Sequence, residues 1–527
     1  MRRHLVSLLT LTLIAALLAS YLPAALMEGA AGSRVQLDLD PDGGYTGDYV
    51  VIINGNLGGK GYLSTGMIGD QIDKDIRPLK LPHPNFKDLS VYDALKKGIP
   101  DPFLPEDDSL QREAMEDLQE GHLKVFRMDE DSNPADGKMM FKLLHIGEHC
   151  RVWTPQNPDY YPLDSMDPAY AGEIAREFDR VYPRMTQIFG APQRLPGDGK
   201  IELLFYNIPG SYIGFLAPRD LFIRFIADGE VHDSNHLPIL HLDTFGVASI
   251  QQVDDQGVAH HQVDRIYSTM IHELQHLLFM DRNYTSNPFT ETVDLDENQA
   301  FWDENVELGH HYTWLEELLS AAATALIYPE ETMKKHLPGW YFSYEPFETI
   351  ADILQGRQEV FNRSMIYGGE SIFDFGKHTH YPLMVMLALF AQHKGGDGVF
   401  LKTTDLCDER WHHEEVLDKP VKILSEALGY DDFADFFQDF VLSLLLHDQH
   451  LEGGRYSLFP MGYSEEMDRV AAEIGPLLLP QVTTSSIRFV FGTSFLVFKT
   501  KNGVFVPPAD SGPKLRYAGF TLGPREE

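Results

Sequence analysis

The residues best equipped for chemistry in this chain are His272, Glu273 and His276, which stand together in His272-Glu-Leu-Gln-His276. Two histidines four apart on a helix share one face about one turn apart, so both imidazoles can reach a single zinc ion. A carboxylate at Glu273 lies beside them, where it can take a proton from a water activated by that metal. The blander alternative is an ordinary solvated helix face, in a chain with 22 histidines. Deciding between the two needs a third ligand.

The element that must carry this motif reads as a helix. Ile266, Tyr267, Met270, Ile271, Leu274, Leu277 and Leu278 recur at three- and four-residue spacing and form one apolar stripe. His272, His276 and Thr269 fall roughly opposite its centre, with Glu273 on their flank. A second helix-forming stretch runs over residues 312–324 and contains Glu316 and Glu317. Ser320, Ala321 and Thr324 are small, and they would let that helix come close to a metal.

Together, His-Glu-Leu-Gln-His and Trp314-Leu-Glu-Glu-Leu-Leu-Ser320 resemble the hyicolysin-type family of secreted bacterial zinc metallopeptidases, which are gluzincins. The second element of that family commonly reads Trp-Leu-Asn-Glu-Gly, with its Glu as third zinc ligand. The resemblance therefore implies zinc held by His272, His276 and Glu317, with Glu273 as general base. Here Glu316 replaces the Asn and Leu318 the Gly, so Glu316 stays open as the alternative ligand. The resemblance also implies an oxyanion-stabilising tyrosine near the start of a later helix, which points to Tyr381, with His380 as its alternative. His310 and His311 are further candidates for orienting the ligands.

The fold the resemblance implies is α+β: a zincin-like domain with a mixed sheet, active-site helices and a helical C-terminal subdomain. The expected division is a leader at 1–31, a β-rich N-terminal region at 34–160, the zincin domain at 161–450 and a C-terminal β-rich segment at 451–527. Strand patterns lie at 49–54, 141–146, 150–153, 201–206 and 239–243, and later at 488–491 and 495–498. Helical patterns lie at 171–188, 383–390 and 433–446. In such a domain an edge strand lies above the metal and pairs with an extended substrate. By position, Ile239–Asp243 is the natural candidate for that edge.

Composition narrows the partners. A net charge of −36 argues against nucleic acid, whose phosphates need basic patches. Arg2 and Arg3 precede an uncharged apolar run from Leu5 to Met27, which reads as an export signal, with an uncleaved membrane anchor as the alternative. The expected location is thus secreted, periplasmic or at the cell surface, and the expected substrates are proteins or peptides. Calcium is a second metal to consider, because Asp38-Leu-Asp-Pro-Asp-Gly43 imitates the start of a calcium loop, although Tyr49 stands where the bidentate Glu belongs. The acidic stretch 294–297 and the pair Asp303-Glu304 are further calcium candidates or a solvated loop. Cys150 and Cys407 allow one disulfide or two separate thiols. A rival function, a surface binding protein on an inactive protease scaffold, rests on the altered Glu316-Glu317-Leu318 element.

Overall fold

A central sheet backed by helices carries the His-Glu-x-x-His segment. The structure is a computed structural model. It describes residues 35–39, 44–56, 60–62, 118–128, 137–156, 166, 168–206, 208, 213–244, 251–253, 259–261, 264–283, 292–296, 306–329, 381–410, 419–460, 489–508 and 515–522.

In chain order, the first strands are β1 (Val35–Asp38), β2 (Tyr45–Thr46), β3 (Tyr49–Asn54) and β4 (Lys60–Tyr62). They are followed by β5 (Leu123–Arg127), β6 (Lys138–Ile146) and β7 (Cys150–Pro155). Helix α1 (Pro168–Phe189) precedes β8 (Ile201–Tyr206), β9 (Gly214–Phe215), β10 (Arg224–Ala227), β11 (Glu230–Asp233) and β12 (Ile239–Asp243). After β13 (Gln251–Val253) and β14 (Ala259–His261) come α2 (Asp264–Asn283), β15 (Thr292–Asp294) and α3 (Val306–Ile327). The helical part continues as α4 (Tyr381–Gly395), α5 (Gly398–Arg410), α6 (Lys419–Leu428) and α7 (Phe433–Leu446). The chain ends with β16 (Phe489–Phe491), β17 (Ser494–Lys499), β18 (Val504–Phe505) and β19 (Leu515–Leu522).

The main sheet has the order β5-β6-β7-β8-β12-β9. Strands β7, β8 and β12 run parallel, whereas β5, β6 and β9 pair antiparallel to their neighbours. Every residue of β8 and β12 is buried. One face packs under α1 and α2. The other carries an aromatic cluster with Phe126, Phe141, Trp153 and Tyr206. Strands covered on both faces read as continuous apolar runs, and these do, apart from Glu202, His241 and Asp243, which are hydrogen-bonded inside. Helix α1 ends at Gly190, whose φ of +96° and N–H to the Thr186 carbonyl form a left-handed stop.

Two expected divisions do not match the strand pairing. The boundary at 160 passes through the main sheet, because β7 pairs directly with β8. The N-terminal and C-terminal β regions are not separate either: a four-stranded sheet runs β1-β19-β3-β17. Sequence patterns report a strand's faces but not its partner, and the partners in the four-stranded sheet come from opposite parts of the chain, as in Val35 against Leu522. The edge assignment is also corrected. Ile239–Asp243 lies inside the sheet, and β9 covers its outer side as the edge strand among the described residues. With two residues, β9 is too short to show alternation.

Both cysteines are free and buried, Cys150 on β7 and Cys407 on α5, which settles the open alternative as two separate thiols. Burial is the main reason the Cys150 thiol is pushed far above its ordinary range. The Asp38 carboxylate is taken up by the Thr46 N–H and hydroxyl, while Asp40 and Asp42 lie outside the described residues. Asp296 accepts the N–H groups of Asp228 and Gly229 and caps the β10–β11 turn. Asp303 and Glu304, like the leader at 1–31, lie outside the described residues. Among the described residues, no helix is long and apolar enough to cross a membrane.

Candidate metal centre

Helix α2 buries Ile266, Met270, Ile271, Leu274, Leu277 and Leu278, so the apolar stripe read from the sequence faces the core. The histidine side is not an open solvated face. Helix α3 packs against α2, and β9 lies on α2 as well. His272 and His276 therefore retain only 15% and 13% side-chain exposure.

Helix α3 is apolar nearly all round, as a helix enclosed by others must be. Trp314, Leu315, Leu318, Leu319 and the alanines of 321–325 are all buried. Its small residues Ser320, Ala321 and Thr324 permit the close approach expected of them, and Glu317 reaches the histidines. The two imidazole Nε2 atoms stand 3.2 Å apart. Glu317 Oε2 lies 3.5 Å from His272 Nε2, and Glu317 Oε1 lies 3.7 Å from His276 Nε2.

These spacings suit a metal. Ligands at about 2.0–2.2 Å from a tetrahedral zinc stand about 3.3–3.6 Å from one another. Two neutral imidazoles and one carboxylate are also zinc's usual donors in catalytic sites. Among the described residues, His272, His276 and Glu317 are the group that could hold such an ion. Glu316 and Glu317 stand differently toward the histidines. Glu316 lies on the other side of His276, with Oε1 3.5 Å from Nδ1. That is where a carboxylate orients a metal-binding imidazole and raises its basicity.

The charges around the site are strongly coupled. Burial raises the Glu273 carboxyl above its ordinary range, and Glu317 adds to this, against the opposing pull of His272 and His276. The Leu216 N–H, at the end of β9, hydrogen-bonds the same carboxylate. Burial opposes protonation of His276, but the carboxylates of Glu316, Glu317 and Glu273 outweigh it and push its pKa up to about 10. For Glu317 the balance is downward, because His272 and His276 overcome the effect of burial.

Two residues were not legible as members of this site. Ser320 was noted only for its size, yet its hydroxyl donates to Gln275 Oε1 and lies 3.2 Å from His276 Nδ1. Gln275 is fully buried between the two histidine turns. A glutamine inside the motif, which needs a polar partner once buried, is the signal that could have revealed Ser320. Tyr381 is the first residue of α4, which packs on α3. The orientation of its side chain lies outside the described residues, as do His380 and the side chains of His310 and His311.

No family model matches the chain. It is similar to the neutral metalloprotease ShpI of Staphylococcus hyicus, with 25% identity over 229 residues. The match takes in 41% of this chain and 46% of the relative, so the chain spans about half the length of the curated relative it matches. That similarity supports a relationship to a metalloprotease.

Proposed function

We propose that this protein is an exported zinc endopeptidase of the hyicolysin type, with zinc held by His272, His276 and Glu317. The observation that carries the reading is the convergence of those three side chains, whose ligand atoms lie within 4.8 Å of one another, with the Glu273 carboxylate buried beside them. The partial similarity to a neutral metalloprotease supports it from an independent direction.

A zinc ion bound there supplies Lewis acidity to a water and to the scissile carbonyl oxygen. The chain's own groups do the rest. Glu273 accepts the water proton as the new C–O bond forms, then delivers it to the leaving amine as the C–N bond breaks. Its upward-shifted carboxyl suits both halves of that transfer. Glu316 and Ser320 hold the His276 ring in place. Among the described residues β9 is the edge strand beside the site, a position that suits pairing with an extended peptide as the substrate. Tyr381 at the head of α4 is proposed to stabilise the oxyanion. Export is proposed on the N-terminal basic-apolar pattern, with extracellular proteins as substrates.

The test is cleavage of casein or mixed peptides by the zinc-loaded protein, beside Glu273→Gln. The expected result is turnover by the parent and a loss of at least about a thousandfold in the variant, with one zinc retained in each. Undiminished turnover in Glu273→Gln would overturn the base assignment. Zinc bound with no cleavage by the parent would favour the binding-protein reading instead.

A further inference from the structure

On the face of the main sheet away from α2, three polar side chains form a buried relay behind the edge strand. His241, at the middle of β12, is 1% exposed. Its Nδ1 lies 3.1 Å from the Tyr206 hydroxyl on β8, and its Nε2 lies 2.7 Å from Asp220 Oδ2. The other oxygen of Asp220 accepts Asn235 Nδ2 at 2.6 Å. With Tyr206 donating to Nδ1 and Nε2–H donating to Asp220, both ring nitrogens are used.

Asp220 sits in the short 3-10 turn Pro218–Leu221, which follows β9 after Leu216 and Ala217. Phe215 of β9 stacks on the His241 ring, with centroids 4.5 Å apart and planes 3° from parallel. The edge segment is thus fastened to β12 twice on this face, by a ring stack and by a charged hydrogen bond just beyond it. Alternation along the strand then sets the opposite face. Gly214 and Leu216 turn toward α2 where Phe215 turns away. A Cβ at Gly214 would meet Thr269 Cγ2 at 2.7 Å, so the segment already lies as close to α2 as a backbone allows. Next along it, the Leu216 N–H reaches the Glu273 carboxylate.

We infer that Tyr206, His241 and Asp220 are positioning residues that hold the 214–216 edge against α2, so that the Leu216 N–H fixes the Glu273 carboxylate. Their effect on turnover rests on the peptidase reading above, whereas their hold on the edge segment does not. A two-residue strand has little pairing of its own to keep it in place. A carboxylate carrying a proton between water and amine loses efficiency when its geometry drifts by even an ångström. The relay supplies, from a dry face, the rigidity that β9 lacks.

The experiment uses the full-length zinc-loaded protein with Asp220→Asn and Tyr206→Phe, and reads two quantities. The first is amide hydrogen exchange in peptides covering 213–217, compared with those from β7, β8 and α2. Asp220→Asn is expected to speed exchange at 214–216 about tenfold while β7, β8 and α2 keep theirs. Tyr206→Phe removes one hydroxyl and shifts the same segment about threefold; it serves as the decisive variant if Asp220→Asn does not fold. The second quantity is peptide turnover at full zinc occupancy. Asp220→Asn is expected to lower kcat about tenfold with zinc stoichiometry unchanged. Unchanged exchange at 214–216, or acceleration spread evenly over the sheet, would overturn the inference, since the latter is what a merely structural role produces. Local acceleration with kcat unaltered would overturn the link to Glu273. A parent that cleaves nothing would count against the peptidase reading alone, and the exchange pattern would still decide whether the relay holds the edge.

Discussion

Among the described residues two glutamates are buried deep, and their surroundings differ in kind. Glu202 on β8 accepts Arg151 Nη1 at 2.7 Å and the Trp153 indole N–H at 2.6 Å, while Asp198 pairs with the other guanidinium nitrogen. Burial pushes its carboxyl up to about 7, against the pull of Arg151 and Trp153. Glu273 on α2 is buried as well, yet it has two imidazoles, another carboxylate and one backbone N–H around it. The first carboxylate brings its own cation on a neighbouring strand. The second is compensated by groups that can themselves hold a metal. The first charge is compensated by a fixed cation, whereas the second depends on how its neighbouring imidazoles are protonated.

That contrast can be broken at either end. The largest effect is expected at Glu317→Gln, which removes the carboxylate that reaches both imidazoles. Zinc affinity should fall by more than about a hundredfold in a competitive chelator titration. Retention of tight zinc would shift the ligand role to Glu316. Next, Arg151→Met should cost about 3 kcal/mol in denaturant unfolding, because it leaves Glu202 buried without its cation. Zinc stoichiometry should not change in that variant, and a change would show that the two buried carboxylates are not independent.

Smaller effects sharpen the comparison. Glu316→Gln is expected to weaken zinc about tenfold without abolishing binding, as loss of an orienting partner does. The pH dependence of the metal-free protein follows from His276. Its folded pKa, about 10, lies above the ordinary imidazole value of about 6.5. The stabilisation is therefore fully present below about 6.5 and is lost as pH rises through about 10. Thermal melts of the metal-free protein should decline across that window, and Glu316→Gln should flatten the decline by removing the leading upward cause. Zinc affinity should rise over the same window, since the metal displaces that proton.

Much of the candidate site was legible because it is local. The spacing in His272-Glu-x-x-His276 sets one helix face, and the apolar stripe of α2 says which side is buried. The small residues around Glu317 announced a close helix pair. The main strands at 49–54, 201–206 and 239–243 were equally readable, since short, largely apolar runs mark a covered strand. Glu316 against Glu317 was not readable, because adjacent residues on a helix differ by about 100° and only the packing of α3 on α2 fixes the rotation. Nor was β9, whose two residues carry no period.

What the sequence by itself determined is therefore the chemistry on offer: two imidazoles and a carboxylate on one helix, with glutamates on a second. Only the tertiary structure decided which glutamate faces the imidazoles, which strand forms the edge, and that strands from both ends of the chain share one sheet. The physical reason is range. Helical period is written by neighbours three and four residues apart, whereas strand partners and helix rotation are chosen by burial against segments far away in the chain.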